Sequence, residues 1–120
     1  MAKNKLLGKC FEEAYYAQAY LDPNLLLVHG EVTNPLDRLH HVHAWCELDD
    51  MCIDKGVSIP RVAYYAIWDV KNEKKYTAKE VSVIVYKTRS YGPWDEYLSS
   101  LQDEVEARYK PQRKGRVKRD

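Results

Sequence analysis

The feature that most limits how this chain can fold is a β-hairpin written into residues 40–54. His40–Leu48 (HHVHAWCEL) reads as a strand, Asp49-Asp50 as a tight turn, and Met51–Asp54 (MCID) as a returning strand. Period-two parity puts His41, His43, Trp45 and Glu47 on one face and Val42, Ala44, Cys46 and Leu48 on the other. A hairpin this short cannot stand alone in water, so other elements must cover it.

The flanking segments offer those elements. Residues 9–21 (KCFEEAYYAQAYL) carry Phe11, Ala14, Tyr15, Ala17 or Gln18, and Leu21 at helical spacing. With Gly8 before it and Asp22-Pro23 after it, this segment is expected to be a helix with Cys10 in its first turn. Residues 25–32 (LLLVHGEV) form an apolar run that predicts a buried strand. Residues 58–70 are ambiguous: Pro60 suits the opening of a short helix, while the β-branched and aromatic content permits a strand. Thr77-Ala78-Lys79-Glu80 has the capping-box form and predicts a helix over 78–88. A turn at Tyr91-Gly92-Pro93 precedes a last amphipathic helix over 94–109. The expected fold class is α+β: an N-terminal helix packed on a small antiparallel sheet, with further helices behind it.

At 120 residues the chain suits one domain. That domain is expected over 1–109, followed by a basic, disordered tail over 110–120. The tail holds six Lys or Arg and one acid, against 13 basic and 17 acidic residues in the body. An acidic body argues against a nucleic-acid groove, and phosphate contact is expected only through the tail. The start lacks the apolar core of a secretory signal, and no apolar run reaches membrane-spanning length. A cytoplasmic setting with no membrane partner is the expectation. Three cysteines cannot all pair within the chain and read better as thiols.

Cys10, His43 and Asp54 stand out together. A helix N-terminus favours a thiolate, which is the nucleophilic form of cysteine. A strand histidine supplies a rigidly held proton acceptor. A carboxylate on the neighbouring strand fixes the imidazole's tautomer. For each the plain alternative is structural: a small buried hydrophobe, a satisfied strand histidine, a strand-end acid. His40, His41 and His43, with His29 or Cys52, also invite a metal reading. Parity turns Cys46 away, and the chain holds no Cys-x-x-Cys or His-x-x-x-His pair, so neither metal nor other cofactor is expected.

Gly8-x-Cys10 opening a helix, then His43-Ala44-Trp45-x-Glu47 on a strand, then a strand ending in Asp54, resembles the papain-like and transglutaminase-like cysteine hydrolases. The resemblance covers about residues 8–55. It implies a catalytic helix on an antiparallel sheet and a Cys10–His43–Asp54 triad acting on an amide or ester. The substrate would be a peptide, a protein or a small amide, and the reaction hydrolysis or acyl transfer. The Cys10 backbone N–H would be a first oxyanion donor. Lys55-Gly56 after the acid departs from the Pro-Thr often found there in the family. Trp45, His29 and Gly30 are expected to line the cleft, with core packing the alternative for Trp45 and a bulge or turn for His29-Gly30. The competing functional expectation is an inactive protein on the same scaffold that holds a peptide or small ligand.

Overall fold

A computed structural model describes the backbone of residues 2–118 and the side chains of residues 9–108. Helix α1 (Ala2–Tyr16) runs into a π-helical stretch at Ala17–Leu21. Strands β1 (Leu26–Thr33), β2 (His40–Leu48), β3 (Met51–Asp54) and β4 (Val57–Pro60) follow. Helix α2 (Arg61–Trp68), strand β5 (Lys71–Tyr76), α3 (Ala78–Thr88) and α4 (Glu96–Lys118) complete the chain. The architecture is mixed α+β.

The five strands form one antiparallel sheet in the order β4-β3-β2-β1-β5. The parity of β2 sorts the core into two layers. Val42, Ala44 and Cys46 join Phe11, Ala14, Leu27, Val81, Leu98 and Val105 beneath α1, α3 and α4. Trp45 joins Val28, Val32, Cys52 and Tyr64 beneath α2. Each of these fully buried aliphatic or aromatic side chains contributes about 1.5–3 kcal/mol over an exposed one, so the two layers dominate the fold's stability.

Three local rules are satisfied plainly. Thr77 Oγ1 accepts from the Glu80 N–H at 3.2 Å and Glu80 Oε1 accepts from the Thr77 N–H at 2.9 Å, closing the capping box. Lys55 and Gly56 both have positive φ, 53° and 80°, as a two-residue type I′ hairpin between β3 and β4 requires. Pro60 ends β4 on the sheet's outer edge, where a missing N–H costs no ladder bond.

The structure departs from the sequence-based elements at three places. α1 begins at Ala2, not beside Cys10. Residues 57–60 form an edge strand before the expected helix, and 71–76 (KNEKKY) form a second one. That Lys-rich strand has no apolar alternation; charged edges of this kind resist pairing with other chains. α4 runs to Lys118, and the side chains of the basic tail expected over 110–120 lie outside the described residues. Among the described residues no helix is long and apolar enough to cross a membrane.

Candidate active site

β3 pairs with β2 only over Cys46–Leu48, so the part of β2 before Cys46 has no β3 neighbour on that side. His43 sits on this open stretch, and side chains from three other elements converge on it. Asp54, the last residue of β3, accepts a hydrogen bond from His43 Nε2 at 2.8 Å. The Cys10 thiol of α1 hydrogen-bonds to the same imidazole. Tyr64 of α2 donates its hydroxyl to the same Asp54 Oδ2, also at 2.8 Å. Trp68, one turn further along α2, lies parallel to the His43 ring, with centroids 5.6 Å apart and planes 8° from parallel.

His43 is 7% exposed. Burial pulls its pKa down, but the hydrogen bonds it gives to Asp54 and Cys10, with their charges, outweigh that and hold it up at about 9. At neutral pH the ring is therefore an imidazolium. Burial acts on Asp54 in the other direction, raising it, yet the His43 hydrogen bond and charge, the Tyr64 hydroxyl and Lys55 bring it below the ordinary carboxylate value. The pair thus forms a buried, charge-assisted hydrogen bond, the stronger class of such contacts.

The three cysteines have different surroundings. Cys46 points to the helix side and donates to the Ala14 carbonyl at 3.4 Å. Cys52 lies on the α2 side and donates to Glu47 Oε2 at 3.7 Å. Burial pushes both thiols up to about 12, Cys52 also through the charge of Glu47. Cys10 is partly exposed and touches the imidazole. Parity foresaw that Cys46 would face away from His43.

Two sequence-based arguments about Cys10 need correction. As an interior residue of α1 it stands away from the positive end of the helix dipole, which acts only over the first turn. Its N–H belongs to the intrahelical ladder, so it is not a spare oxyanion donor. The ionisable group that its thiol meets is the His43 imidazole.

The expected cleft residues are also placed differently. Trp45 is 1% exposed, packed on Tyr64 and Tyr65, and its Nε1 donates to Glu47 at 3.0 Å. It braces His43 from within the core, ring to ring at 6.0 Å, and has no surface to offer a substrate. Gly30, paired with His43, is buried under the Trp45 ring, so close that a Cβ there would lie 2.7 Å from Trp45 Cη2. His29 is wholly buried on the other face of the sheet, boxed by Phe11, Tyr76 and Trp94. Core packing, the alternative held for Trp45, is what the structure has for Trp45 and His29, and the bulge held as the alternative for His29-Gly30 is present as well, where the β1–β5 register shifts between His29 and Glu31.

Two contacts of the site escaped the sequence reading. Tyr64 and Trp68 fall in residues 58–70, whose sequence permits helix or strand and singles out neither. Their i, i+4 spacing on α2 places them on one face, but only the edge strand β4 tells that this face turns towards Asp54. Elsewhere, a surface cavity of about 450 Å³ is lined by Tyr15, Tyr86, Arg89 and Tyr91 among others, and no triad residue borders it. No three His, Cys, Asp or Glu among the described residues are grouped to hold a metal ion. His40 instead bonds Glu31, which also accepts from Asn72 and Tyr97.

In comparisons with protein-family models, curated proteins and solved structures, none matches this chain.

Proposed function

We propose that this protein is a thiol-dependent hydrolase or acyltransferase of the papain/transglutaminase-like type, acting on an amide or ester bond of a peptide, protein or small amide. One observation carries the reading. A partly exposed thiol, an imidazole and a carboxylate, drawn from α1, β2 and β3, are linked in the order a nucleophile, a proton carrier and an orienting acid require. The antiparallel sheet backed by the cysteine helix agrees with the scaffold that the His43-Ala44-Trp45-x-Glu47 string resembles. Three cysteines, an odd count that cannot all pair within the chain, fit a reducing, cytoplasmic setting.

The chemistry follows from the charges. The Cys10 thiolate, paired with the His43 imidazolium, attacks the carbonyl carbon through Sγ. The C–N or C–O bond breaks as His43 gives its proton to the leaving amine or alcohol, and a thioester to Cys10 remains. The now neutral imidazole takes a proton from water or an incoming amine, which attacks the thioester carbonyl. The product acid or amide leaves, and the thiolate–imidazolium pair is restored. Asp54 stays ionised throughout and holds the ring on Nε2.

The test uses p-nitrophenyl acetate as a generic acyl donor, followed by mass spectrometry of intact and digested protein. Acetyl label is expected on Cys10, absent in Cys10→Ser and slowed at least tenfold in His43→Ala. Label that is absent, that sits on Cys46 or Cys52, or that forms on Cys10 as fast without His43 would refute the proposal. A non-catalytic binding protein would then be the surviving description.

A further inference from the structure

Helix α2 addresses the sheet through two stripes of its surface. Arg61 and Tyr65, four residues apart, secure it. The Arg61 N–H bonds the Asp50 carbonyl at 2.6 Å, its guanidinium bonds the Asp49 carbonyl, and the Tyr65 hydroxyl donates to buried Glu47 at 2.5 Å. Tyr64 and Trp68, also four apart, meet Asp54 and His43. The anchoring stripe fixes the helix independently of the triad, so the second stripe is delivered to a set position.

We infer, building on the thiol-enzyme reading above, that Tyr64 and Trp68 are positioning residues that act on His43 in opposite senses: Tyr64 draws charge away from Asp54, and Trp68 steadies the charged imidazole from its ring face. Asp54 Oδ2 accepts two donors, each at 2.8 Å. A second donor on one oxygen spreads the carboxylate charge and brings a partly positive hydroxyl proton close to the imidazolium. Both effects weaken the hold of Asp54 on the His43 proton. Burial, then the Asp54 charge and hydrogen bond, push the Tyr64 phenol well above its ordinary value, so it remains a donor wherever the site is charged. Trp68 does the reverse. An indole face attracts a cation, and near-parallel stacking holds the ring in the plane Asp54 needs.

The other groups facing His43 are Cys10 from α1, Asp54 of β3 with Lys55 behind it, and His41 on the same strand. None of them changes in a Tyr64 or Trp68 variant. Purely structural roles would give a different pattern, because loosening α2 slackens the Asp54 contact and lowers the His43 titration point in either variant.

The experiment is an NMR titration of the His43 ring in wild type, Tyr64→Phe and Trp68→Leu, with the pH profile of Cys10 alkylation recorded in parallel. Tyr64→Phe is expected to move the midpoint up and Trp68→Leu to move it down, each by roughly half a pH unit. A midpoint that stays or falls in Tyr64→Phe overturns the inference. Should Trp68→Leu fail to fold, Trp68→Phe keeps a smaller ring and a smaller fall is expected; a rise or no change there overturns the inference too. The opposed shifts without any acylation of Cys10 would uphold the positioning roles while the enzyme reading fell. Acylation without the shifts would do the converse.

Discussion

Replacing His29 with Leu should make this protein markedly more tolerant of acid. His29 is fully buried against Phe11, Trp94 and Tyr76, and neither ring nitrogen finds a hydrogen-bond partner among the described residues. Burial lowers its pKa from 6.5 to about 3. Between those values the unfolded chain holds a proton on this ring and the folded protein does not. Stability is therefore lost as pH falls from about 6.5 towards 3. At pH 4.5 the loss from this one group is about 2.7 kcal/mol, and at pH 7.5 it is near zero. The Leu variant gives up ring contacts but also removes two orphaned polar atoms, each worth about 1–3 kcal/mol, so its stability at neutral pH is set by offsetting terms. The difference between the two pH values is free of that offset, because every other titrating group is common to both proteins. Urea unfolding followed by Trp fluorescence at pH 7.5 and 4.5 measures it. The variant should gain about 2.7 kcal/mol on wild type between the two conditions, or roughly 1–2 M in midpoint for a chain of this size. An equal gap at both pH values would show that His29 titrates normally and that its burial is wrong.

His43 should produce the opposite limb. Its folded pKa of about 9 lies above the ordinary 6.5, so its contribution is complete below about pH 6.5 and disappears as pH climbs through 9. Relative to His43→Gln, wild type should lose stability over that interval in thermal melts; a constant difference would contradict the ion-pair geometry. Gly30→Ala tests the close approach of the Trp45 ring, which a Cβ would meet at 2.7 Å. A loss of about 1–3 kcal/mol is expected by chemical denaturation, and no loss would mean the sheet has room there.

Much of the site was legible in the amino-acid order. The hairpin at His40–Leu48 and Met51–Asp54 was set by two short strand-forming runs around the Asp49-Asp50 turn, and the helix at 78–88 by its capping box. That hairpin was enough to bring His43 and Asp54 to adjacent strands, because pairing geometry follows from turn position. The edge strands β4 and β5 were not legible. Edge strands are stabilised by pairing with a neighbour more than by their own pattern, and Lys71–Tyr76 carries none.

Local sequence also named Cys10 but misjudged its surroundings. Short-range punctuation by Gly8 suggested a helix start, yet the helix extends back to Ala2. Glycine costs only about 1 kcal/mol inside a helix, and neighbouring turns override it. The roles of Trp45, His29 and Gly30 turned on which face of the sheet is covered and by what, which no single strand can reveal. By itself, then, the sequence determined the hairpin, the helical periods and the three residue types that chemistry would need. The tertiary structure decided that β3 ends early enough to leave His43 open to Cys10, and that α2 lies across the sheet to reach Asp54. Those outcomes depend on contacts between segments distant in the chain, whose energies exist only once the layers have packed.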